Sequence, residues 1–384
     1  MLKVGVIGCG NGGNQVTVWS KKLMEDVPVL AINSSENDLN TLPDEIPKKI
    51  IGDGKGSGKN RSESKEFLSK TIMELLSDTE FKNFVKELDI VFIISTTGGG
   101  TGSGIALVLT GIIQKAFPKV HVIPVGIMPS LKRDGESTQT NSLEYLSELY
   151  NVLGPNTTYM LYDNDKFAKE DSVTMMERVN MSIANDINVL RCNYNLATKY
   201  ASIDEKDMLN IIRTPGRLFV ASLVDVKEKD LDDTTIEEKV ITEIKSNAHV
   251  ELQRDMIVSR SGIIVNLSSQ LLSNFNTHME TVQGFVGSPV EEFEHIYVNE
   301  DRKLPNNVFY ILAGLTKVND RIRKTNDRIM EIEEARKQKE DELELDSTLI
   351  DAVNSTRAYQ KTVSDKSFDV KDIFKDFGVN IQDA

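Results

Sequence analysis

Gly98-Gly99-Gly100-Thr101-Gly102-Ser103-Gly104 places five glycines and two hydroxyl residues in seven positions, and its flanks decide its meaning. Before it runs Asp89-Ile90-Val91-Phe92-Ile93-Ile94-Ser95, apolar and β-branched, which reads as a strand. After it runs Ile105-Ala106-Leu107-Val108-Leu109-Thr110-Gly111-Ile112-Ile113, which suits a buried helix. Glycines at the hand-over from strand to helix N-terminus make an anion site. Backbone N–H groups are free, the helix dipole presents its positive end, and no Cβ blocks a phosphate. Thr101 and Ser103 are expected to add hydroxyl donors. A plain flexible loop is the alternative, but linkers rarely sit hard between an apolar strand and an apolar helix. No Gly-Lys-Ser/Thr follows the glycines, so this is not a Walker A loop.

Working outward, the 384 residues predict two to three domains with room for a sizeable core. The net charge of -14 argues against non-specific binding to DNA or to a membrane surface, though not against a partner that binds DNA. Two cysteines, Cys9 and Cys192, imply no disulfide framework, and a reducing compartment fits. The four histidines, His121, His249, His278 and His295, show no metal-ligand spacing, so no metal held by protein side chains alone is expected. No signal peptide, no membrane span and a cytoplasmic location are expected.

Residues 2–7 read as a strand, followed by Gly8-Cys9-Gly10-Asn11-Gly12-Gly13 and a helix from about Asn14 to Met24. This second phosphate-type loop also fits G-x-G-x-x-G, which raises a rival: a dinucleotide-binding oxidoreductase domain using NAD. That rival wants an acidic residue at the end of the next strand, residues 27–32, which instead runs into Asn33-Ser34-Ser35. A short strand at 49–52 is followed by a glycine- and lysine-rich loop at 53–61 and one helix over 62–88. A strand at 120–127, a helix at 137–153 and a strand at 158–162 closing on Asn164-Asp165-Lys166 complete a β-α-β-α order. That order predicts an α/β, doubly wound, mostly parallel sheet whose strand ends converge on one nucleotide.

A long central helix is expected over 174–200, with Val179, Ile183, Ile187 and Leu190 on one stripe. Strands at 218–224, 256–267 and 307–315, with helices at 208–213, 235–246 and 268–285, predict a second, α+β domain. From Thr316 a last helix keeps a narrow apolar stripe, then becomes almost purely charged after Ala335. It is read as lying on the body and running into solvent, with a short interhelical contact as the alternative. The segment Phe368 to Phe377 stands either as a docking patch on a loose tail or as one folded back on the body.

These residues together resemble the tubulin/FtsZ superfamily, to which the GGGTGSG of residues 98–104 is specific. Residues 8–14 resemble its first phosphate loop, and Asn164-Asp165-Lys166 its guanine-reading segment. Asn180, near the start of the long helix, resembles its second guanine contact, with Asn185 the competing choice. Asp204-x-x-Asp207 is similar to the catalytic loop that a neighbouring subunit inserts; read locally, Asp204 is a helix cap with Asp207 in the first turn. Arg213-Thr214-Pro215-Gly216 stands where the plasmid-partition tubulins, TubZ, carry Asn-Thr-Pro-Gly, and the charged last helix is also TubZ-like. The segment 129–138 shows no counterpart of the arginine that division-type FtsZ places near ribose and phosphates; Asp134 or Glu136 is the expected ribose contact.

The resemblance implies a GTP-binding domain at 1–173, a central helix at 174–200, an activation domain at 201–315, a C-terminal helix at 316–346 and a tail at 347–384. It implies GTP/GDP held by Gly10, Asn11, Gly12, Gly13, Asn14, Asn33, residues Gly98 to Gly104, Asp134, Asn164 and Asn180. Neither loop carries a phosphate-gripping lysine, so Mg²⁺ held through water and hydroxyls is expected. Asp204 and Asp207 are the expected catalytic residues, acting on the nucleotide of the adjoining subunit. The function implied is a GTP-hydrolysing filament protein, assembled head to tail, that segregates plasmid or prophage DNA through a basic DNA-binding adaptor. An FtsZ-type division GTPase is the alternative, against which stands the non-basic end Phe377-Gly378-Val379-Asn380-Ile381-Gln382-Asp383-Ala384. The NAD-dependent oxidoreductase is a more distant one.

Overall fold

The structure, a computed structural model, describes residues 1–192, 198, 202–227, 229, 234–253, 256–275, 279–300, 304–316 and 318–342. The expected tail at 347–384, its Phe368 to Phe377 patch and the continuation of the central helix past Cys192 lie outside these residues.

The first half alternates strand and helix. β1 (Val4–Cys9), α1 (Gly10–Leu23), β2 (Val29–Asn33), α2 (Glu36–Asn40), β3 (Lys48–Ile50), α3 (Arg61–Ser77) and α4 (Thr79–Lys86) come first. β4 (Ile90–Thr96), α5 (Thr101–Ala116), β5 (His121–Met128), α6 (Glu136–Glu148), β6 (Thr158–Asp163) and α7 (Ser172–Cys192) follow. The second half contributes α8 (Glu205–Ile212), β7 (Gly216–Leu223), α9 (Ile236–Ser246), β8 (Val258–Leu267), α10 (Ser269–Leu272), α11 (Glu280–Val286), β9 (Pro289–Val298), β10 (Asn307–Leu315) and α12 (Asn319–Glu342).

One ten-stranded sheet runs in the order β3-β2-β1-β4-β5-β6-β7-β10-β8-β9. The first six strands are all parallel and in doubly wound order, as expected. Chain direction along the sheet reverses between β1 and β4, and this switch point is where ligands of such sheets bind. The alignment is tight there: Gly8 pairs with Ile94 and Cys9 with Ser95. β7 joins β6 through only Thr158↔Gly216 and Tyr159↔Arg217, and β10 lies antiparallel to both β7 and β8.

The core explains the layering. β1 and β2 are buried throughout, so their apolar side chains supply both faces. On one face α7 brings Val179, Ile183, Ile187 and Leu190, all buried as the stripe predicts, into one core with Val16 of α1 and Val6, Phe92 and Ile94 of the sheet. Each such side chain contributes about 1.5–3 kcal/mol relative to exposure. On the other face Leu68 of α3, Ile105 and Leu109 of α5 and Tyr145 of α6 cover Ile7, Val91 and Ile93. The second half has its own core of Phe219, Val240, Ile263 and Tyr310, although its strands continue the same sheet.

Two expected helices are not continuous. The 62–88 helix breaks at Asp78, whose side chain accepts from the N–H of Glu80 and Phe81 and so caps a new helix. Periodicity did not reveal the break because Leu75, Phe81 and Val85 still reach one core. The 268–285 helix is instead the short α10 and α11, and the strand after them, β9, was not anticipated. β9 opens on Pro289, carries Glu291, Glu292 and Glu294, and forms the sheet edge. Proline and charge are how edge strands avoid further pairing, and they also erase the strand signal.

Candidate functional site

α1 starts at Gly10 directly after β1, and α5 starts at Thr101 shortly after β4. The residues before them, Cys9 and Gly100, give neither helix a side-chain cap. Two helix N-termini with uncapped N–H groups therefore sit side by side at the switch point, both presenting partial positive charge.

The glycines bring backbones into contact. A Cβ built on Gly102 would lie 2.3 Å from Cys9 O, and one on Gly100 would lie 2.6 Å from Lys59 Cα. Gly10, at φ +69°, sits against Gly102 N. Gly99 differs: a Cβ there meets only the Thr96 hydroxyl within 4 Å. Three hydroxyls gather beside the second loop, with Ser34 Oγ 2.6 Å and Ser57 Oγ 3.2 Å from Thr101 Oγ1. Ser103 does not join them. Its hydroxyl donates to Gly99 O and accepts from Arg61 Nε at 3.2 Å, which corrects the expectation of a second free donor.

The glycine- and lysine-rich stretch 53–61 is a third wall that the sequence reading left without a role. Besides Ser57, it supplies Lys59, whose Nζ donates to Thr138 Oγ1 at 3.0 Å, and Arg61. Arg61 is buried, donates from Nη2 to Ser103 O at 3.1 Å, and pairs with Glu144 at 2.9 Å and Glu148 at 2.7 Å. Lys65 joins Glu148 at 2.5 Å; burial holds its ammonium below the usual lysine range, opposed by the Glu148 charge. Asn141 Nδ2 donates to Gly99 O at 3.1 Å and to Lys59 O at 2.9 Å, tying the walls together. The signal was present as glycines and lysines after a short strand, between two other glycine loops.

Asn14 lies on α1, 1% exposed, and neither atom of its amide has a partner among the described residues. A buried amide left unsatisfied costs about 1–3 kcal/mol, so a ligand is the natural partner. Gly12 and Gly13 pack on Thr96 and Ile94 O at the end of β4, while Asn11 is exposed. Asn33 is engaged locally: its Oδ1 accepts from Ser34 N at 2.8 Å and its Nδ2 donates to Asp38 at 3.1 Å. Asp134 closes a turn, accepting from Ser130 N at 2.8 Å. Asn164 opens the turn after β6, and Asn180 is largely buried on α7. The competing Asn185 is half-buried, also on α7.

The 129–138 segment does carry an arginine, Arg133, which the sequence reading passed over. Its guanidinium turns to the start of α7, donating to Ala168 O at 2.9 Å and Ser172 Oγ at 3.2 Å. Asp204 and Asp207 lie after α7, at the start of α8, and form a capping box. Cys9 is no nucleophile, because complete burial pushes its thiol far above the usual range. Among the described residues no group of three or more His, Cys, Asp or Glu comes together to hold a metal. The Ser34, Ser57 and Thr101 hydroxyls suit a cation held mainly by a nucleotide's own phosphates and by water. Among the described residues no helix is long and apolar enough to cross a membrane.

With this geometry in view, the comparisons agree. Residues 3–170 match the Tubulin/FtsZ family, GTPase domain. The tubulin-like protein CetZ of Pyrococcus furiosus is 27% identical over 221 residues, 55% of this chain and 58% of its own length. The tubulin-like protein TubZ of Clostridium botulinum C phage is 26% identical over 166 residues, 43% of this chain and 46% of its own. Proteins named cell division protein FtsZ match as well. The chain thus spans about half the length of the curated relatives it matches. Among solved structures, a GTPγS-form protofilament of Bacillus thuringiensis serovar israelensis TubZ superposes with a TM-score of 0.71 at 20% identity, covering 89% of this chain and 95% of that one. Residues 3–170 thus match the GTPase domain of the tubulin/FtsZ family, and the chain has the tubulin/FtsZ fold. The resemblance read from residues 98–104 is borne out, with CetZ relatives beside the expected TubZ ones.

Proposed function

We propose that this protein binds GTP at the β1–β4 switch point, assembles head to tail into filaments, and hydrolyses GTP to GDP and phosphate between adjacent subunits. The observation that carries the reading is the pair of uncapped helix N-termini in backbone contact, with the unpartnered amide of Asn14 on the same helix as the first of them. The N–H groups of residues 10–13 and 98–104 hold the phosphates. Asn164, directly after β6, and Asn180, within α7, read guanine, and Asp134 approaches the ribose. The Thr101, Ser34 and Ser57 hydroxyls would help hold a hydrated Mg²⁺, which would supply neutralisation of phosphate charge. No carboxylate stands within the glycine loops, so one subunit lacks a group to orient water. Asp204 and Asp207 of the next subunit supply it.

The larger role is DNA segregation by a dynamic filament in the cytoplasm, through a basic DNA-binding adaptor. Support comes from Arg213-Thr214-Pro215-Gly216, the long charged α12, the likeness to TubZ and an acidity that disfavours direct DNA contact. An FtsZ-type division role is the alternative. The test combines nucleotide titration with electron microscopy of the purified protein. GTP should bind in preference to ATP and NAD, and filaments should appear with GTP alone. Equal binding of GTP and ATP refutes the guanine assignment, and tight NAD binding without GTP revives an oxidoreductase. DNA should co-sediment with filaments only when the adaptor is added.

A further inference from the structure

α12 does more than lie on the body. Arg321, 6% exposed, faces Asp163 at the end of β6, with Nε 2.6 Å from Oδ2 and Nη2 3.1 Å from Oδ1. The same Nη2 donates to Pro129 O at the end of β5, at 2.6 Å. Two turns on, Arg328 Nε donates to Leu131 O at 2.7 Å. Further along, Arg336 pairs with Glu136 at 2.7 Å. The two loops so held are also tied to each other, since Asp165 accepts from Ser130 Oγ at 2.7 Å and from Leu131 N at 2.9 Å. A helix near the end of the described chain thus grips the carboxyl ends of two adjacent parallel strands.

We propose that Arg321 and Arg328 are positioning residues of the nucleotide site. They fix the 129–134 and 163–167 loops, which carry Asp134 and Asn164, and thereby couple nucleotide occupancy to docking of α12. This rests on the proposed nucleotide reading. A buried bidentate arginine–carboxylate pair is directional, so it fixes the β6 end in one orientation. Arg328 donates to a backbone carbonyl, so it sets loop position without any charge partner in the loop. Linkage then makes the effect reciprocal: what α12 does for nucleotide affinity, nucleotide must do for α12.

The test uses the full chain below its assembly concentration, with GDP as the probe. Arg328→Met, whose acceptor carbonyl can turn to water, should raise the GDP dissociation constant about five- to tenfold, the range of a modest coupling. In assembled protein it should raise KM for GTP while leaving kcat nearly unchanged. Arg328→Lys, keeping one donor, should recover much of the affinity. Arg321→Met combined with Asp163→Asn removes the buried pair together, leaves Asp165, 3.7 Å from Arg321 Nη2, its Ser130 and Leu131 donors, and should weaken GDP at least as much. In the unaltered protein, GDP should slow amide exchange along residues 319–336. Unchanged GDP affinity in both variants with a lowered Tm overturns the proposal and leaves α12 a structural brace. Exchange in α12 that ignores GDP overturns the coupling. An unaltered protein that binds no guanine nucleotide overturns the site reading itself, and the same titration shows it.

Discussion

Asp204 Oδ1 accepts the backbone N–H of Asp207 at 2.9 Å, while Asp207 Oδ2 accepts that of Asp204 at 3.1 Å. The pair therefore starts α8 and at the same time holds two carboxylates in fixed orientation on an accessible surface. Capping and catalysis separate by substitution. Asn caps a helix about as well as Asp but carries no charge. Asp204→Asn and Asp207→Asn should keep the melting temperature, nucleotide binding and filaments, yet lose about 10²–10⁴ in GTPase rate. Asp204→Ala should lose the same activity and in addition about 1 kcal/mol of stability. Wild-type turnover in the Asn variants would leave the aspartates as helix-start residues only.

The glycines of the second loop divide into two kinds. At Gly102 a Cβ strikes Cys9 O at 2.3 Å, so Gly102→Ala must push the two loops apart and should cost about 1–3 kcal/mol of stability. At Gly99 a Cβ comes within 2.9 Å of the Thr96 hydroxyl alone, a side chain that can turn, so Gly99→Ala should cost less stability than Gly102→Ala. It should nevertheless weaken GTP, because a methyl now stands where phosphate approaches backbone. Thermal melts with and without GTP read both effects. Equal GTP stabilisation of Gly99→Ala and the unaltered protein would move the phosphates elsewhere.

Asn14 gives a test with opposite signs. Its amide is buried and unpartnered, so the nucleotide-free protein bears a desolvation penalty. Asn14→Leu should raise the melting temperature without nucleotide and lower the GTP-induced gain by about 1–3 kcal/mol. A variant destabilised in both states would show instead that the amide has a partner in the folded chain.

The glycine loops of the candidate site were legible because backbone chemistry leaves a mark in the sequence. Two glycine loops, each between a buried strand and a helix, could serve little else, and the strand order followed from the alternation. What was not legible depended on contacts remote in sequence. Arg61 acts on Ser103 across 42 residues and Arg321 on Asp163 across 158, and neither spacing leaves a pattern. Ser103 looked like a donor to ligand because its hydroxyl's true partners, Gly99 O and Arg61, were invisible. β9 was lost because an edge strand is selected to look unlike one. Arg133 is a similar case, since its partners Ala168 O and Ser172 Oγ lie 35 and 39 residues further on.

His121 sets a pH limit on stability. Burial, assisted by the nearby Arg213 charge, lowers its pKa from 6.5 to about 4. Above 6.5 the imidazole is neutral both folded and unfolded, and this contribution is complete. As pH falls from 6.5 towards 4 the unfolded chain takes up a proton that the folded chain refuses, so stability drops. The loss is of order 1–3 kcal/mol, complete once pH passes below the folded value. Chemical denaturation between pH 7 and 4 should show this slope, and His121→Gln should flatten it. An unchanged slope in that variant would assign the loss to other groups.

Hydrolysis between subunits makes its own kinetic prediction. The glycine loops lie at the carboxyl ends of β1 and β4, whereas Asp204 and Asp207 follow α7, the helix that packs on α1 and the sheet. If one subunit completed its own site, GTPase per molecule would be constant with concentration. If the aspartates serve the neighbour, dilute protein should bind GTP and hardly turn it over. Rate per molecule should then climb steeply past an assembly threshold, as each added subunit completes one site. Asp204→Asn subunits should still enter filaments, so mixing them into unaltered protein should leave uncleaved GTP at every junction where they donate the loop. Filament turnover should therefore fall by more than the mutant fraction, since a GTP-bound junction holds all subunits behind it. Light scattering with phosphate release over a concentration series reads both outcomes. A flat specific activity, or inhibition merely proportional to the mutant fraction, would refute a shared site.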